Sequence, residues 1–167
     1  MRSPLGLEPK ECAVPPLPKI TLTASDYPRL EKLARTAAEQ GDMDGVFLKG
    51  EIDRAEIVPD DANDVEDIAT VGSWVTYWMN WGVPPRMLQL VWPEERGTDP
   101  ARVSVLSSLG AVLIGLRTGD QMPYWFAGRL NVVTIRSVQR SQPNVIPLFG
   151  QPASAAPYDD DPGPTAA

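Results

Sequence analysis

Carboxylates are the side chains of this chain with the most capacity for chemistry. Residues 42–67 carry ten acids against two cations, Lys49 and Arg54. Asp42 and Asp44 lie two residues apart at a predicted turn, and paired carboxylates are the ligands that a second divalent metal ion needs. The same residues suit local roles, with Asp42 in the turn and Asp44 capping the following helix. The spacing leaves both interpretations open.

Most other catalytic schemes are excluded by composition. The chain has no histidine and one cysteine, Cys12, so Ser-His and Cys-His nucleophiles, HExxH metal sites and zinc clusters cannot be assembled. It also has no GxxxxGK[ST] loop, no GxGxxG after a strand and no GxSxG elbow. Carboxylates are what remains for chemistry, and we expect no cofactor and no resident metal.

The ends of the chain bear on location and domain organisation. No apolar run approaches the roughly 20 residues that span a bilayer, and the N-terminus lacks the apolar core of a signal peptide, so we expect a cytoplasmic protein that does not enter a membrane. Proline enrichment predicts a disordered leader over 1–18 and a disordered tail over 141–167. One apolar strip in the tail, Val145–Phe149, is either a docking segment or a patch that folds back on the domain.

Two helices are predicted between the leader and the acidic run. Apolar residues recur at spacings of three and four over 27–37, which predicts a helix, and Gly41 and Gly45 then bracket a turn. A second helix follows from about residue 46 to residue 58. Residues 19–67 are therefore predicted to form a short antiparallel helical hairpin with an acidic linker.

From Val71 the apolar period changes to that of strands. Alternation predicts strands in VGSWVTYW, RMLQLVWP, VSVL, QMPYWF and RLNVVTIRSVQR, with a short helix in SSLGAVLIGL. Residues 68–140 are thus predicted to be a small antiparallel sheet with one helix packed across it. The fold class is α+β, a short N-terminal helical hairpin followed by this sheet domain.

The stretch VSVLSSLGAVLIGLRTGD carries a family resemblance. It resembles the C-terminal domain of Gre transcript-cleavage factors and of Rnk, the regulator of nucleoside diphosphate kinase. The shared features are Ser104, Ser107, Gly110, Leu113–Gly115 and the Gly119-Asp120 turn. Ser108 departs from the pattern, because the family commonly has proline there. The resemblance implies an FKBP-like fold for the sheet domain.

The N-terminal hairpin places this chain on the Rnk side of the family. LKGEIDRAEIV, residues 48–58, resembles a Rnk segment. The Gre factors in this resemblance have a long coiled-coil finger that enters the polymerase secondary channel, whereas the two helices predicted here are only about 20–25 Å long at about 1.5 Å per residue. The resemblance thus implies a non-catalytic regulator that binds RNA polymerase at the rim of the secondary channel and competes with Gre-type factors.

Four residues are candidate partner contacts. They are Asp42 and Asp44 at the turn, Trp81 near Pro84-Pro85, and Arg117. Arg117 belongs to residues 68–140, which contain seven arginines and four acids. Trp78 and Trp81 lie near a hairpin tip, where both cannot easily be core residues, and an exposed tryptophan is a common interface anchor. Core packing is the alternative.

The sequence leaves other functions open. The acidic segment disfavours sequence-specific binding to duplex DNA, because phosphates are repelled there. A Gre-like stimulator of transcript cleavage that uses Asp42 and Asp44 is one alternative. A peptidyl-prolyl isomerase with an aromatic pocket is another, although core packing explains the five tryptophans more simply. The sequence does not indicate the oligomeric state.

Overall fold

The computed structural model describes residues 16–80 and 84–140. Most of the predicted leader, the whole predicted tail with its strip at 145–149, Cys12 and Trp81 lie outside the described residues. The α+β fold class is confirmed, with two helices near the N-terminus followed by a sheet and one packed helix.

The helical hairpin consists of α1, Tyr27–Glu39, and α2, Met43–Asp53. The predicted apolar stripe of α1 faces the core, with Leu30, Ala34 and Ala37 buried. Gly41 has a φ of +80°, a left-handed conformation that glycine adopts without strain, and it ends the first helix. The second helix begins three residues earlier than predicted and ends five residues earlier than the predicted boundary at residue 58.

The segment that follows α2 is a strand, which corrects the prediction of helix there. β1, Thr21–Thr23, pairs in parallel with β2, Glu56–Val58, and Thr21 lies opposite Glu56. β1 also joins the sheet domain, since the amide of Thr21 donates to the carbonyl of Gly115 at 2.9 Å. The hairpin is therefore closed at its base by backbone hydrogen bonds.

The main sheet has five strands in the order β5-β4-β3-β7-β6. Their bounds are β3 Trp74–Met79, β4 Arg86–Val91, β5 Arg102–Ser104, β6 Gln121–Phe126 and β7 Arg129–Gln139. All neighbours are antiparallel except β4 and β5, which pair in parallel because the chain between them crosses back through a loop. Ala127 and Gly128 both have positive φ, as the tight turn between β6 and β7 requires.

Helix α3, Ser108–Leu113, packs on the inner face of this sheet. Ser107 is its N-cap and accepts a hydrogen bond from the amide of Gly110, so Ser108 is the first helical residue. That position tolerates proline, the residue common in the family, because its amide needs no helical partner. Gly110 approaches β5 so closely that a Cβ there would collide with the carbonyl of Ser104.

One continuous core joins the hairpin to the sheet domain. Leu30 and Leu48 of the helices lie in the same buried cluster as Leu113 of α3 and Val75 and Ile135 of the sheet. The predicted boundary between residues 67 and 68 remains a prediction. Over the described ranges, no helix has the length and apolar character needed to cross a membrane.

Candidate functional site

The tip of the helical hairpin carries the first two candidate contacts. Asp42 is the N-cap of α2, and its carboxylate accepts a 3.0 Å hydrogen bond from the amide of Asp44. Asp42 is exposed, whereas Asp44 lies inside the helix and is half-buried. The structure thus places the cap on Asp42, two residues earlier than the predicted alternative in which Asp44 caps the helix.

Asp44 forms a hydrogen bond with a residue of the sheet domain. The hydroxyl of Ser108, at the start of α3, donates a 2.6 Å hydrogen bond to Oδ1 of Asp44. Asp42 is therefore the more exposed acid of the pair. Among the residues that the structure describes, no group of three or more histidine, cysteine or acidic side chains is arranged to hold a metal ion.

Two apolar side chains adjoin Asp42 at the tip. Met43 is 76% exposed and Val46 is 47% exposed, both on the outward side of α2. An acid beside exposed apolar side chains can form a charged contact and bury apolar area in the same interface. The sequence does not predict that Met43 and Val46 are exposed, because their exposure depends on which side of α2 packs against α1.

Arg117 lies in a different set of contacts from the hairpin tip. Its guanidinium donates to Asp64 of the acidic linker at 2.6 Å, and its amide donates to the carboxylate of Asp120 at 2.8 Å. The hydrogen bond from Arg117 holds the pKa of the Asp64 carboxyl below its usual range. Arg117 is thus partly neutralised by an intramolecular ion pair, and the structure does not bring it together with Asp42.

Trp81 lies outside the described residues, so its predicted exposure stays a prediction. Its neighbour Trp78 is half-buried, and the guanidinium of Arg136 lies 4.8 Å from the centroid of its ring. Trp92 is covered in the same manner by Arg29, at 4.0 Å. These two tryptophans are packing partners of arginines.

The comparisons with known proteins agree with one another. Residues 18–58 match the family described as Rnk N-terminus. The regulator of nucleoside diphosphate kinase of Escherichia coli (strain K12) is 28% identical over 111 residues, which cover 66% of this chain and 81% of the relative. The protein of the same name from Shigella flexneri matches to the same extent.

Among solved structures, the prokaryotic transcription elongation factor GreA/GreB from Nitrosomonas europaea superposes with a TM-score of 0.59. It is 28% identical, and the match covers 72% of this chain and 99% of that chain. The Gre-factor/Rnk resemblance is confirmed. The curated relatives are named as regulators, which is consistent with a protein that is not an enzyme.

The helical hairpin is fastened to the sheet domain at both ends. At its base, the carboxylate of Asp26 accepts from the amide of Val71 at 3.3 Å, and at its tip Asp44 accepts from Ser108. Arg29 also pairs with Glu94 in the loop after β4. The hairpin therefore lies against the sheet domain along its length.

A polar cavity of about 270 Å³ opens at the base of the hairpin. Asp26, Asp60 and Arg140 contribute charged groups, and Ser25 donates from its hydroxyl to Asp60 at 2.9 Å. Burial raises the pKa of the Asp26 carboxyl, and the nearby Asp60 adds to this effect. No sequence signal points to this cavity, because its lining comes from segments far apart in the chain.

One tryptophan of the sheet domain is exposed, whereas core packing is the simpler expectation from the sequence. Trp125 is 73% exposed at the end of β6, next to the exposed Phe126, and Leu130 lies opposite it on β7. Core packing does not account for Trp125. The signal that could have revealed it is its position two residues before the Ala127-Gly128 turn.

Proposed function

We propose that this protein is a non-catalytic transcription regulator that binds RNA polymerase at the rim of the secondary channel and competes there with Gre-type factors. One observation carries the proposal. This chain is similar in structure to a GreA/GreB elongation factor over 99% of that factor's solved chain. Its hairpin helices are short, with 13 residues in α1 and 11 in α2.

The length of the hairpin argues against a catalytic role inside the channel. At about 1.5 Å per residue, the helices are only about 20 Å and 17 Å long. The bond between Ser108 and Asp44 also ties the tip to α3. Such a hairpin would occupy the rim rather than deliver acids to a buried metal ion, and it would obstruct a longer finger that uses the same entrance.

The charge distribution supports binding at a positively charged entrance. Residues 42–67 carry a net charge of −8 and residues 68–140 a net charge of +3. A dipolar protein orients in the field of its partner, and this raises the association rate at low ionic strength. Asp42 with Met43 and Val46 is the surface that we expect to lead into the channel mouth.

Binding to core RNA polymerase tests the proposal directly. The full chain should bind immobilised core polymerase, and Asp42→Asn should weaken binding about three-fold to ten-fold through loss of a charged contact, about 0.7–1.4 kcal/mol. Asparagine caps helices as well as aspartate does, so the fold of α2 is kept. Asp61→Asn is the matched control, since it removes one charge from the same acidic segment away from the tip. No binding of the unaltered chain to core polymerase would refute the proposal.

Competition and catalysis are separated by a cleavage assay on backtracked elongation complexes. Added alone, the chain should leave the transcripts intact, and added with a Gre-type factor it should slow cleavage in proportion to occupancy. Shortened transcripts that appear with the chain alone and vanish with Asp42→Asn and Asp44→Asn would instead establish the cleavage stimulator.

A further inference from the structure

The five-stranded sheet has one face that the helices do not cover. The inner face carries the buried residues Val75, Tyr124 and Ile135, which pack with α1, α2 and α3. The residues that alternate with the inner set along each strand point to the opposite side. We call this side the outer face, and its exposed and half-buried apolar members at the β6–β7 end are Pro123, Trp125, Leu130 and Val132.

At that end the outer face carries two neighbouring apolar cross-strand pairs. Trp125 pairs across the strands with Leu130, and Pro123 pairs with Val132. Leu130 is 40% exposed. Adjacent exposed apolar side chains of this size on one sheet face are unusual unless another segment covers them.

The chain itself supplies a segment of matching chemistry and length. It leaves the sheet at the far end of β7, and Val145–Phe149, VIPLF, is the apolar strip that follows. Phe149 is nine residues beyond Arg140, and Leu130 is nine residues before Gln139. At about 3.4 Å per residue, a tail that reverses after β7 can reach about 30 Å back along that strand.

Sequence and charge support the reversal. Residues 141–144 read SQPN, and proline followed by asparagine is a common pair at the centre of a tight turn. The tail then carries Asp159–Asp161, whereas Arg129 and Arg136 lie on β7 beside the apolar residues. Attachment to β7 gives the strip a high effective concentration at the outer face.

We propose that Val145–Phe149 docks on the outer face of the sheet, over Val132, Leu130 and Trp125 of the same molecule. This surface is separate from the hairpin tip used in the proposed function.

Paramagnetic relaxation in the full chain tests the docking. Cys12→Ser removes the one cysteine, and Ala153→Cys then carries a nitroxide four residues beyond the strip. We expect loss of most of the signal intensity at the Trp125 indole N–H and at the amides of Leu130 and Val132. The amide of Met43, at the hairpin tip, should keep its intensity.

Two variants make the result specific. Ile146→Asp should restore the outer-face signals, because a charge in the strip opposes its burial. Ala156→Asp, which adds the same charge outside the strip, should leave the signal loss in place. Retained peak dispersion in both spectra shows that the fold is intact, so that neither outcome reflects unfolding.

Three outcomes would overturn the proposal. The first is full signal intensity at Trp125, Leu130 and Val132. The second is an equal loss of intensity at these residues and at Met43. The third is a loss that appears only when nitroxide-labelled molecules are mixed with isotope-labelled molecules free of nitroxide. The last would assign the outer face to a second copy of the chain.

Discussion

The hydroxyl of Ser108 donates a 2.6 Å hydrogen bond to the carboxylate of Asp44, and this contact joins the first turn of α2 to the first residue of α3. The two residues are 64 positions apart in the chain. Ser108 stands where the Gre-factor/Rnk pattern commonly has proline, which has no hydroxyl to donate. A proline at position 108 could not make this contact, so the residue that departs from the pattern is the one that holds the hairpin tip.

We predict that this contact stabilises the fold measurably. Ser108→Ala should lower the free energy of unfolding by about 1.5 kcal/mol, because a half-buried hydrogen bond to a charged group is lost. Chemical denaturation of Ser108→Ala, Asp44→Ala and the double variant gives the coupling energy between the two residues. A coupling energy near zero would mean that the bond contributes nothing in solution.

Ser108→Pro provides the matched control for helix formation. Proline suits the first position of α3, so the helix should persist while the bond to Asp44 is lost. Amide hydrogen exchange in the first turn of α2 should therefore accelerate equally in Ser108→Pro and Ser108→Ala. Unchanged exchange there would show that the tip is held by packing alone.

The glycines of α2 give opposite predictions within one helix. A Cβ on Gly45 would lie 2.9 Å from the backbone carbon of Ala37, too close for α1 to remain in place. Gly45→Ala should therefore cost about 2 kcal/mol through overpacking. A Cβ on Gly50 would meet nothing within 4 Å, so Gly50→Ala should gain up to about 1 kcal/mol from helix propensity. Thermal melts of both variants check the ranking, and equal shifts would contradict the close approach of α1 to α2.

The sequence predicted the elements whose signal is local. Strands β3, β4, β6 and β7 alternate over six residues or more, and the turn between β6 and β7 carries a glycine where positive φ is needed. The apolar stripe of α1 also lies on the buried side, as its period of three and four residues predicts. These features depend on neighbouring residues and so are visible in one sequence.

The features that the sequence missed depend on distant segments. β1 and β2 have three residues each, too few for a periodic signal, and they become strands only by pairing across 35 positions. The engagement of Asp44 by Ser108 and the exposure of Trp125 likewise follow from tertiary packing. A lone acid at a turn or a lone tryptophan in a strand carries no information about the partner it meets.

The two ion pairs at the end of α2 should differ sharply in strength. Glu51 is buried, and Arg54 donates to it from Nε at 3.0 Å while also donating to the carbonyl of Pro18. Arg54→Met keeps the apolar stem but leaves a buried carboxylate unpaired, which should cost about 3 kcal/mol. Lys49→Met breaks the exposed pair with Asp53 and should cost at most about 0.5 kcal/mol.

Urea denaturation of the two methionine variants measures this difference. The variant Glu51→Leu combined with Arg54→Met should recover much of the loss, because no buried charge then remains. Equal losses for Arg54→Met and Lys49→Met would show that Glu51 is hydrated in solution.

Asp26 should make the stability of the protein depend on pH. Burial raises the pKa of its carboxyl above the ordinary value of 3.8, so the folded protein binds this proton more tightly than the unfolded chain does. The contribution of the carboxyl to stability is therefore fully present below pH 3.8 and is lost as the pH rises through the raised pKa. Asp26→Asn cannot ionise and keeps an acceptor for the amide of Val71.

The stability of Asp26→Asn relative to the unaltered protein should consequently increase between about pH 3 and pH 7. Asp26→Ala should show the same trend but lie lower by about 1 kcal/mol, because it also loses the bond to Val71. Thermal unfolding of the three proteins across this range measures both the slope and the offset. A relative stability that falls as the pH rises would mean that the hydrogen bonds to Asp26 outweigh its burial, because only a lowered pKa reverses the sign of the slope.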